Sequence, residues 1–316
     1  YYDYEDILIG SGDYVIPDEV YSLTVVCIQA GTGGQAGFDG ESGGSSQLIV
    51  TSKDQNAGGS WSDSPEDGGQ GGDKGSPGAG GKVYRATIDV VPGQVIHYEC
   101  GTPGVGGATN GAVGTAGGET TFGALSSAQG AVSDTGYTDP VSGDVLAKPG
   151  TEGVNGAAGG RGGKASSSRG DYGENGEDVP PNTGGPGGPP YKWKFDDYTS
   201  ENIRIYGGGA GGGAAHGKDG DPGSDSPTAV GGAGASPDAP QTPDKIGAGG
   251  NGGHGGGGGG GAGGLFASAE AYGPSELPAG IWITKDGGSA GKGSRGSNGG
   301  PGGILVYYQQ PKTSES

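Results

Sequence analysis

The chain has no methionine, two cysteines, three histidines, three tryptophans and four phenylalanines among 316 residues. Each shortage closes off a class of protein. Cys27 and Cys100 cannot make a disulfide-stapled scaffold. They lie in strand-like runs, LTVVCI and VIHYEC, and read as small buried apolar residues, with a cross-strand disulfide as the alternative. His97, His216 and His254 stand far apart, and no Cys or His pair has ligand spacing, so no metal site is expected. Ile, Leu, Val and Phe together supply 43 residues, too few for the core of an ordinary globular enzyme. No apolar stretch approaches the roughly 18 residues that span a bilayer, so no membrane insertion is expected. The N-terminus also lacks the basic and apolar regions of a signal peptide. Basic residues number 17 against 36 acidic ones, a formal charge of −19. Such a surface repels phosphate backbones and anionic membranes, and no nucleic-acid partner is expected. Tyr at position 1, where an initiator would stand, suggests a processed piece of a longer protein.

What the chain does have is glycine, 83 residues of it, with 21 prolines. Such a composition by itself reads as disorder, because little apolar burial is available to offset the entropy of ordering. The spacing argues otherwise. Glycine returns every third residue in separate runs: Gly31 to Gly43, Gly69 to Gly81, Gly101 to Gly107, Gly111 to Gly117, Gly150 to Gly162, Gly217 to Gly223, Gly249 to Gly264 and Gly293 to Gly302. Period three is neither helix nor strand. It is the period of a left-handed polyproline-II-type helix, which rises about 3.1 Å per residue and makes no internal hydrogen bonds. Once buried, the N–H and C=O groups of such a helix must pair with neighbouring segments. A bare position every third residue lets two backbones approach. The runs are therefore expected to pack side by side as polyglycine-II helices. Collagen would need far longer unbroken triplets rich in proline, and a flexible linker gains nothing from periodic glycine.

Short alternating apolar segments stand between the runs, among them SLTVVCIQ from Ser22, KVYRATIDV from Lys82, QVIHYE from Gln94, IWIT from Ile281 and ILVYYQQ from Ile304. They read as β-strands, with Val91-Pro92-Gly93-Gln94 a turn between two of them. The expected fold is mainly β with almost no α-helix: a small antiparallel β-sandwich fused to a bundle of polyglycine-II helices. Residues 1–316 form one unit. Strands are expected mainly in 5–30, 46–52, 82–100, 202–206, 281–284 and 303–310. Glycine runs are expected mainly in 31–44, 68–81, 101–118, 150–176, 207–223, 247–264 and 287–303. Gly34, Gly72, Gly156, Gly256 and Gly299 are the structural glycines singled out.

The order of these segments resembles the glycine-rich domain of bacteriophage and prophage tail proteins. The matching elements are YVIPDEVYSLTVVCIQAGTGG from Tyr14, GGKVYRATIDVVPGQVIHYECG from Gly80, GGETTFGALSSAQG from Gly117 and GGPGGILVYY from Gly299. The glycine runs are similar to those of phage tail-tip adhesins with stacked polyglycine-II helices, whose inter-helix loops carry receptor choice. The resemblance implies a tail or tail-fibre tip protein in the virion, acting outside the cell. Its implied partners are a bacterial cell-surface glycan or protein receptor, other tail proteins and further copies of itself in a homo-oligomer. The long interruptions at 177–206 and 265–286 depart from that pattern.

Enzyme motifs arise only by accident of composition. Gly291-Lys292-Gly293-Ser294-Arg295-Gly296 fits GxGxxG, but no strand, helix and distal acidic residue surround it. Gly287-Gly288-Ser289-Ala290-Gly291 fits the hydrolase elbow without a helix to position the serine. Gly68 to Asp73 resembles half of a calcium-binding repeat, and Asp219, Asp221 and Asp225 cluster, yet neither recurs in tandem. No catalytic residue, cofactor or metal is expected, and the chain reads as a non-enzyme. Loops with aromatic side chains are better placed to discriminate ligands than bare backbone. Tyr191, Trp193, Phe195 and Tyr198 are interleaved with Lys and Asp, the usual chemistry of sugar recognition, and Trp61 in a Ser/Asp/Gly loop is the second candidate. The alternative for the Tyr191 segment is a hairpin whose aromatics cover the core. A purely structural virion or extracellular filament subunit is the alternative function. A receptor ectodomain and an ice-binding protein fit less well.

Overall fold

Alternation of β-branched and aromatic residues sets the strands. In the computed structural model, the described residues are 4–44, 46–50, 67–153, 155–156, 158–163, 172, 174–175, 191–194, 204–207, 246–247, 249–253, 255, 265–266, 281–285, 288 and 290–309. Within them the strands are β1 (Tyr4–Leu8), β2 (Ser11–Val15), β3 (Ser22–Ile28), β4 (Ser46–Val50), β5 (Val83–Asp89), β6 (Val95–Glu99), β7 (Thr121–Phe122) and β8 (Leu125–Ser126). They continue with β9 (Tyr137–Thr138), β10 (Val145–Leu146), β11 (Tyr191–Lys194), β12 (Arg204–Gly207), β13 (Leu265–Phe266), β14 (Ile281–Lys285) and β15 (Gly303–Tyr308). A single 3-10 turn, Ser127–Gln129, is the only helical element among the described residues. The chain is thus mainly β, and among the described residues all strand pairs are antiparallel.

The first sheet has the order β1-β15-β3-β5, and the second β2-β6-β7-β8. In β15 all six residues are buried, and in β3 all but Ser22. Near-continuous apolar sequence is what a strand covered on both faces requires. One face, through Leu23, Val25, Cys27, Ile304 and Val306, meets Tyr14, Ile96 and Phe122 of the second sheet. The Tyr14 and Phe122 rings lie 5.8 Å apart and tilted, and the Tyr14 hydroxyl donates to Asp6 Oδ2 at 2.6 Å, tying β2 to β1. The opposite face, through Val26, Ile28, Leu305 and Tyr307, packs on Ala147 and Ile246.

Three strands of the first sheet continue into glycine runs, and the pairing continues with them. After Ile28 pairs with Val83, Gln29 N–H donates to the Lys82 carbonyl, and donation then recurs at every third residue. Thr32, Gln35, Phe38, Glu41 and Gly44 donate to Ala79, Ser76, Asp73, Gln70 and Asp67 of the second run. Ala30, Gly33 and Ala36 donate to Gly118, Thr115 and Ala112, on another side. Gly31, Gly34, Gly37, Gly40 and Gly43 donate on a third side to Gly300, Ser297, Ser294, Gly291 and Gly288. The carbonyls of Gly31 and Gly34 accept from Gly104 and Gly107, and those of Thr32 and Gln35 from Gly250 and Gly253. Run 30–44 is therefore bonded to five neighbouring runs, at N···O distances between 2.7 and 3.1 Å. The N–H groups of residues 29–38 are all satisfied without helix or sheet.

The ladders require glycine. A Cβ at Gly34 would lie 1.9 Å from the Asn251 carbonyl oxygen, one at Gly72 2.0 Å from that of Phe38, and one at Gly299 2.1 Å from that of Gly31. Each neighbouring atom is backbone, so no side chain can swing aside. The hydrogen standing there points at the carbonyl, the geometry of a weak Cα–H···O contact. Gly156 donates its N–H to Gly72 at 2.8 Å, and Gly256 lies outside the described residues. The stretch 101–118, read from sequence as one run, is a tight hairpin. Gly111 adopts φ +73, Ala112 donates back to Thr109, and Thr115 and Gly118 donate to Val105 and Thr102. Asn110, with φ +31, starts the reversal, as Asn and Gly tolerate left-handed backbone best.

Candidate functional site

Two features of the described residues concentrate side-chain chemistry. The first lies under the hairpin β9–β10. Asp139 follows β9 and is fully buried, its N–H donating to the Asp144 carbonyl and its own carbonyl accepting from Gly143. The Tyr307 hydroxyl donates to Asp139 Oδ2 at 2.7 Å, and Ser142 N–H donates to the same oxygen at 2.8 Å. Burial by itself would push this carboxyl up. Hydrogen bonds from the Ser142 backbone, Tyr307, the Ser142 side chain and the Val141 backbone outweigh burial and hold the carboxyl below its usual range. The same burial and the Asp139 carboxylate push the Tyr307 phenol well above its ordinary value. Asp139 Oδ1 and the Tyr137 hydroxyl have no hydrogen-bond partner among the described residues. The cluster fastens the hairpin to β15. Sequence reasoning passed over it, although Asp-Pro followed by Ser-Gly at Asp139 to Gly143 is a turn signal.

The second feature is the end of the two sheets remote from the glycine runs, where two proline turns meet. Ile16 N–H donates to Gln94, Gly93 donates back to Ile16, and Val90 donates to Tyr21. Val15 and Val95 are cross-strand partners, and each is 58% exposed. Tyr21 at 66% and Val91 at 65% exposure complete an apolar rim around Pro17 and Pro92. Glu19 beside it adopts φ +63, an uncommon conformation for a residue other than glycine. Next to Val15 and Val95 on the same sheet, Asp13 Oδ1 lies 2.9 Å from His97 Nδ1, both side chains being largely exposed.

The cysteines are both free and buried. Burial pushes the Cys27 thiol up to about 12, and the nearby Cys100 adds to the shift. Burial also pushes Cys100 up to about 11, against a lowering hydrogen bond from the Gly10 backbone. A thiolate is the reactive form, so neither is a nucleophile near neutral pH. A thiol-reactive dye is expected to label neither cysteine in the native protein at pH 8 and both after unfolding in guanidinium. Rapid labelling of the native chain would contradict the burial.

Of the aromatic residues proposed for recognition, Tyr191 and Trp193 lie in β11, which pairs with β12 so that Tyr191 stands opposite Gly207 and Trp193 opposite Ile205. Trp61, Phe195 and Tyr198 lie outside the described residues, as do Ser289, Asp219, Asp221 and Asp225. The GxGxxG match at Gly291 to Gly296 is an extended run rather than a turn opening a helix. A Cβ at Gly293 or Gly296 would lie 2.1 Å from the carbonyl oxygen of Gly37 or Gly34. Gly69 and Gly72 of the repeat-like stretch face the Glu41 and Phe38 carbonyls in the same way.

The class these observations define is a mainly β, glycine-rich protein whose runs are joined by backbone ladders of period three. No protein-family model matches the chain, and no curated protein is found to be similar.

Proposed function

We propose that the runs are left-handed polyglycine-II helices forming a bundle, that the two four-stranded sheets form a sandwich clamping its ends, and that the chain is a non-enzymatic phage tail or tail-fibre tip protein. Its loops meet the host surface while the bundle holds them rigidly. The observation that carries this reading is the bonding of run 30–44 to five neighbours at every third residue. In support of the hand, Gly111 and Gly247 are the only described glycines in 101–118 and 247–255 with positive φ, and none occurs in 31–44, 68–81 or 290–302. The proposed receptor is a glycan or protein of the bacterial envelope, met by the segment holding Tyr191 and Trp193.

The test is pull-down of the fluorescently labelled chain by a panel of bacterial strains. Binding to some strains is expected, with at least a tenfold loss, about 1.4 kcal/mol, in the Tyr191→Ala/Trp193→Ala variant at unchanged melting temperature. Absence of binding across the panel counts against an adhesin. The exposed rim of Val15, Tyr21, Val91 and Val95 favours a second reading, a structural subunit seated on another protein, because clustered apolar exposure marks interaction sites. That reading expects no cell binding by the isolated chain.

A further inference from the structure

We propose that Asn110 is a site of spontaneous deamidation, and that the glycine ladders hold three other Asn-Gly steps out of the same reaction. Asn precedes Gly at 110, 155, 175, 251 and 298. Gly176, which follows Asn175, lies outside the described residues. In such a step the glycine nitrogen attacks the Asn side-chain Cγ. A C–N bond forms, the side-chain nitrogen leaves as ammonia carrying the glycine N–H proton, and a five-membered succinimide remains. Water then adds to one of the two ring carbonyls and breaks its bond to nitrogen, leaving Asp or isoaspartate. Glycine has no Cβ to obstruct the attack, so the rate depends on whether its nitrogen can swing onto Cγ.

The four described steps are each gripped at both reacting groups. Gly111 donates its N–H to the Gly37 carbonyl while Asn110 Oδ1 accepts from Asp39 N–H, both at 3.1 Å. Gly156 and Gly299 donate to Gly72 and Gly104, each at 2.8 Å. Asn155 and Asn298 accept from Lys74 and Gly106, two residues further along those runs, at 2.8 and 2.9 Å. Gly252 donates to the Thr151 carbonyl at 2.8 Å, and Asn251 accepts from the N–H of the same residue at 2.9 Å. Attack requires rotation about the Cα–Cβ and Cα–C bonds of Asn, and that rotation breaks both contacts.

Three of the grips lie inside a ladder. Gly156 stands between rungs at Gly153 and Gly159, Gly299 between rungs at Gly296 and Gly302, and Gly252 between Gly250 and Gly253, which donate to Thr32 and Gln35. Asn251 is held at a third point, its carbonyl accepting from Ser297 N–H at 2.9 Å. The Asn110 grip closes a ladder instead: Gly104, Gly107 and Gly111 donate to Gly31, Gly34 and Gly37, and past Gly111 the chain turns back. Asn110 and Gly111 are the central pair of a turn closed by Ala112 N–H on the Thr109 carbonyl at 2.7 Å, with φ +31 and +73. Asn110 is also exposed. An end rung opens alone, whereas an interior rung opens only with its neighbours. Left-handed backbone adds strain at Asn110 that opening relieves. The inference goes beyond the tail role and the hand of the runs, needing only the ladders.

In the experiment the full chain is incubated at pH 8, both native and in guanidinium, in water enriched in heavy oxygen, and peptide mapping by mass spectrometry follows each Asn. In the native chain Asn110 is expected to convert about tenfold faster than Asn155, Asn251 and Asn298, with Asn251 slowest and with heavy oxygen in the new carboxyl. In guanidinium the four rates are expected to converge. Asn110 surviving natively over a time in which it converts in guanidinium would remove the site. Asn155, Asn251 or Asn298 keeping pace with Asn110 in the native chain would remove the protection. An unchanged order of rates in guanidinium would trace the difference to neighbouring residues rather than to the ladders, and would overturn the inference as well.

Discussion

Gly34→Ala is expected to be strongly destabilising. Its Cβ would stand 1.9 Å from the Asn251 carbonyl oxygen and 2.9 Å from that of Gly250, both backbone. Ordinary carbon–oxygen contact needs more than 3 Å, so run 247–255 must move by more than an ångström. That movement would break the Gly250 and Gly253 bonds to Thr32 and Gln35, each worth about 1 kcal/mol, in addition to the strain of overpacking. The expected loss is about 3–5 kcal/mol, or roughly 10 °C in melting temperature. Gln70→Ala, at an exposed position of run 67–81, is the control and should change the melting temperature by little. Equal melting of the two variants in a calorimetric scan would show that the runs are not close-packed.

Asp139→Ala is expected to cost about 3 kcal/mol, because it removes a buried acceptor that Tyr307 and Ser142 both donate to. Its signature is the pH dependence. The folded protein holds this carboxyl below its ordinary value, so the ionised form is favoured by folding. The stabilisation is complete above the unfolded pKa, near 4, and is lost as the pH falls through the lower folded value. Urea titrations at pH 6 and pH 2.5 should therefore show the gap between wild type and Asp139→Asn shrinking on acidification. A gap that widened in acid would mean that the carboxyl is protonated in the native state.

How far the sequence could be read depended on the range of the interaction. Short apolar segments placed β3, β5, β6, β14 and β15 within a residue or two, because an apolar run or an alternation is a local property. Period-three glycine marked the runs for the same reason. The two-residue strands β7 to β10 carry too few residues for any pattern. The pairing of β4 with β14, which sets Leu48 against Ile283, joins parts of the chain more than two hundred residues apart, and no local signal specifies it. The reversal at Asn110 falls where the glycine spacing breaks from three to four, between Gly107 and Gly111, so the turn had a local signal. Asp139 could not be found, since burial of a carboxylate depends on what β15 brings to it from the far end of the chain.

The continuation of sheet pairing into the glycine ladders also bears on how the molecule would carry tension. Rungs that lie crosswise to the segments they join are loaded in shear when those segments are pulled lengthwise, and in shear they must fail together rather than unzip singly. Strand β3 and run 30–44 form one such uninterrupted seam against their neighbours, from Ser22 to Gly44. A pull on either end of that seam is spread along its whole length.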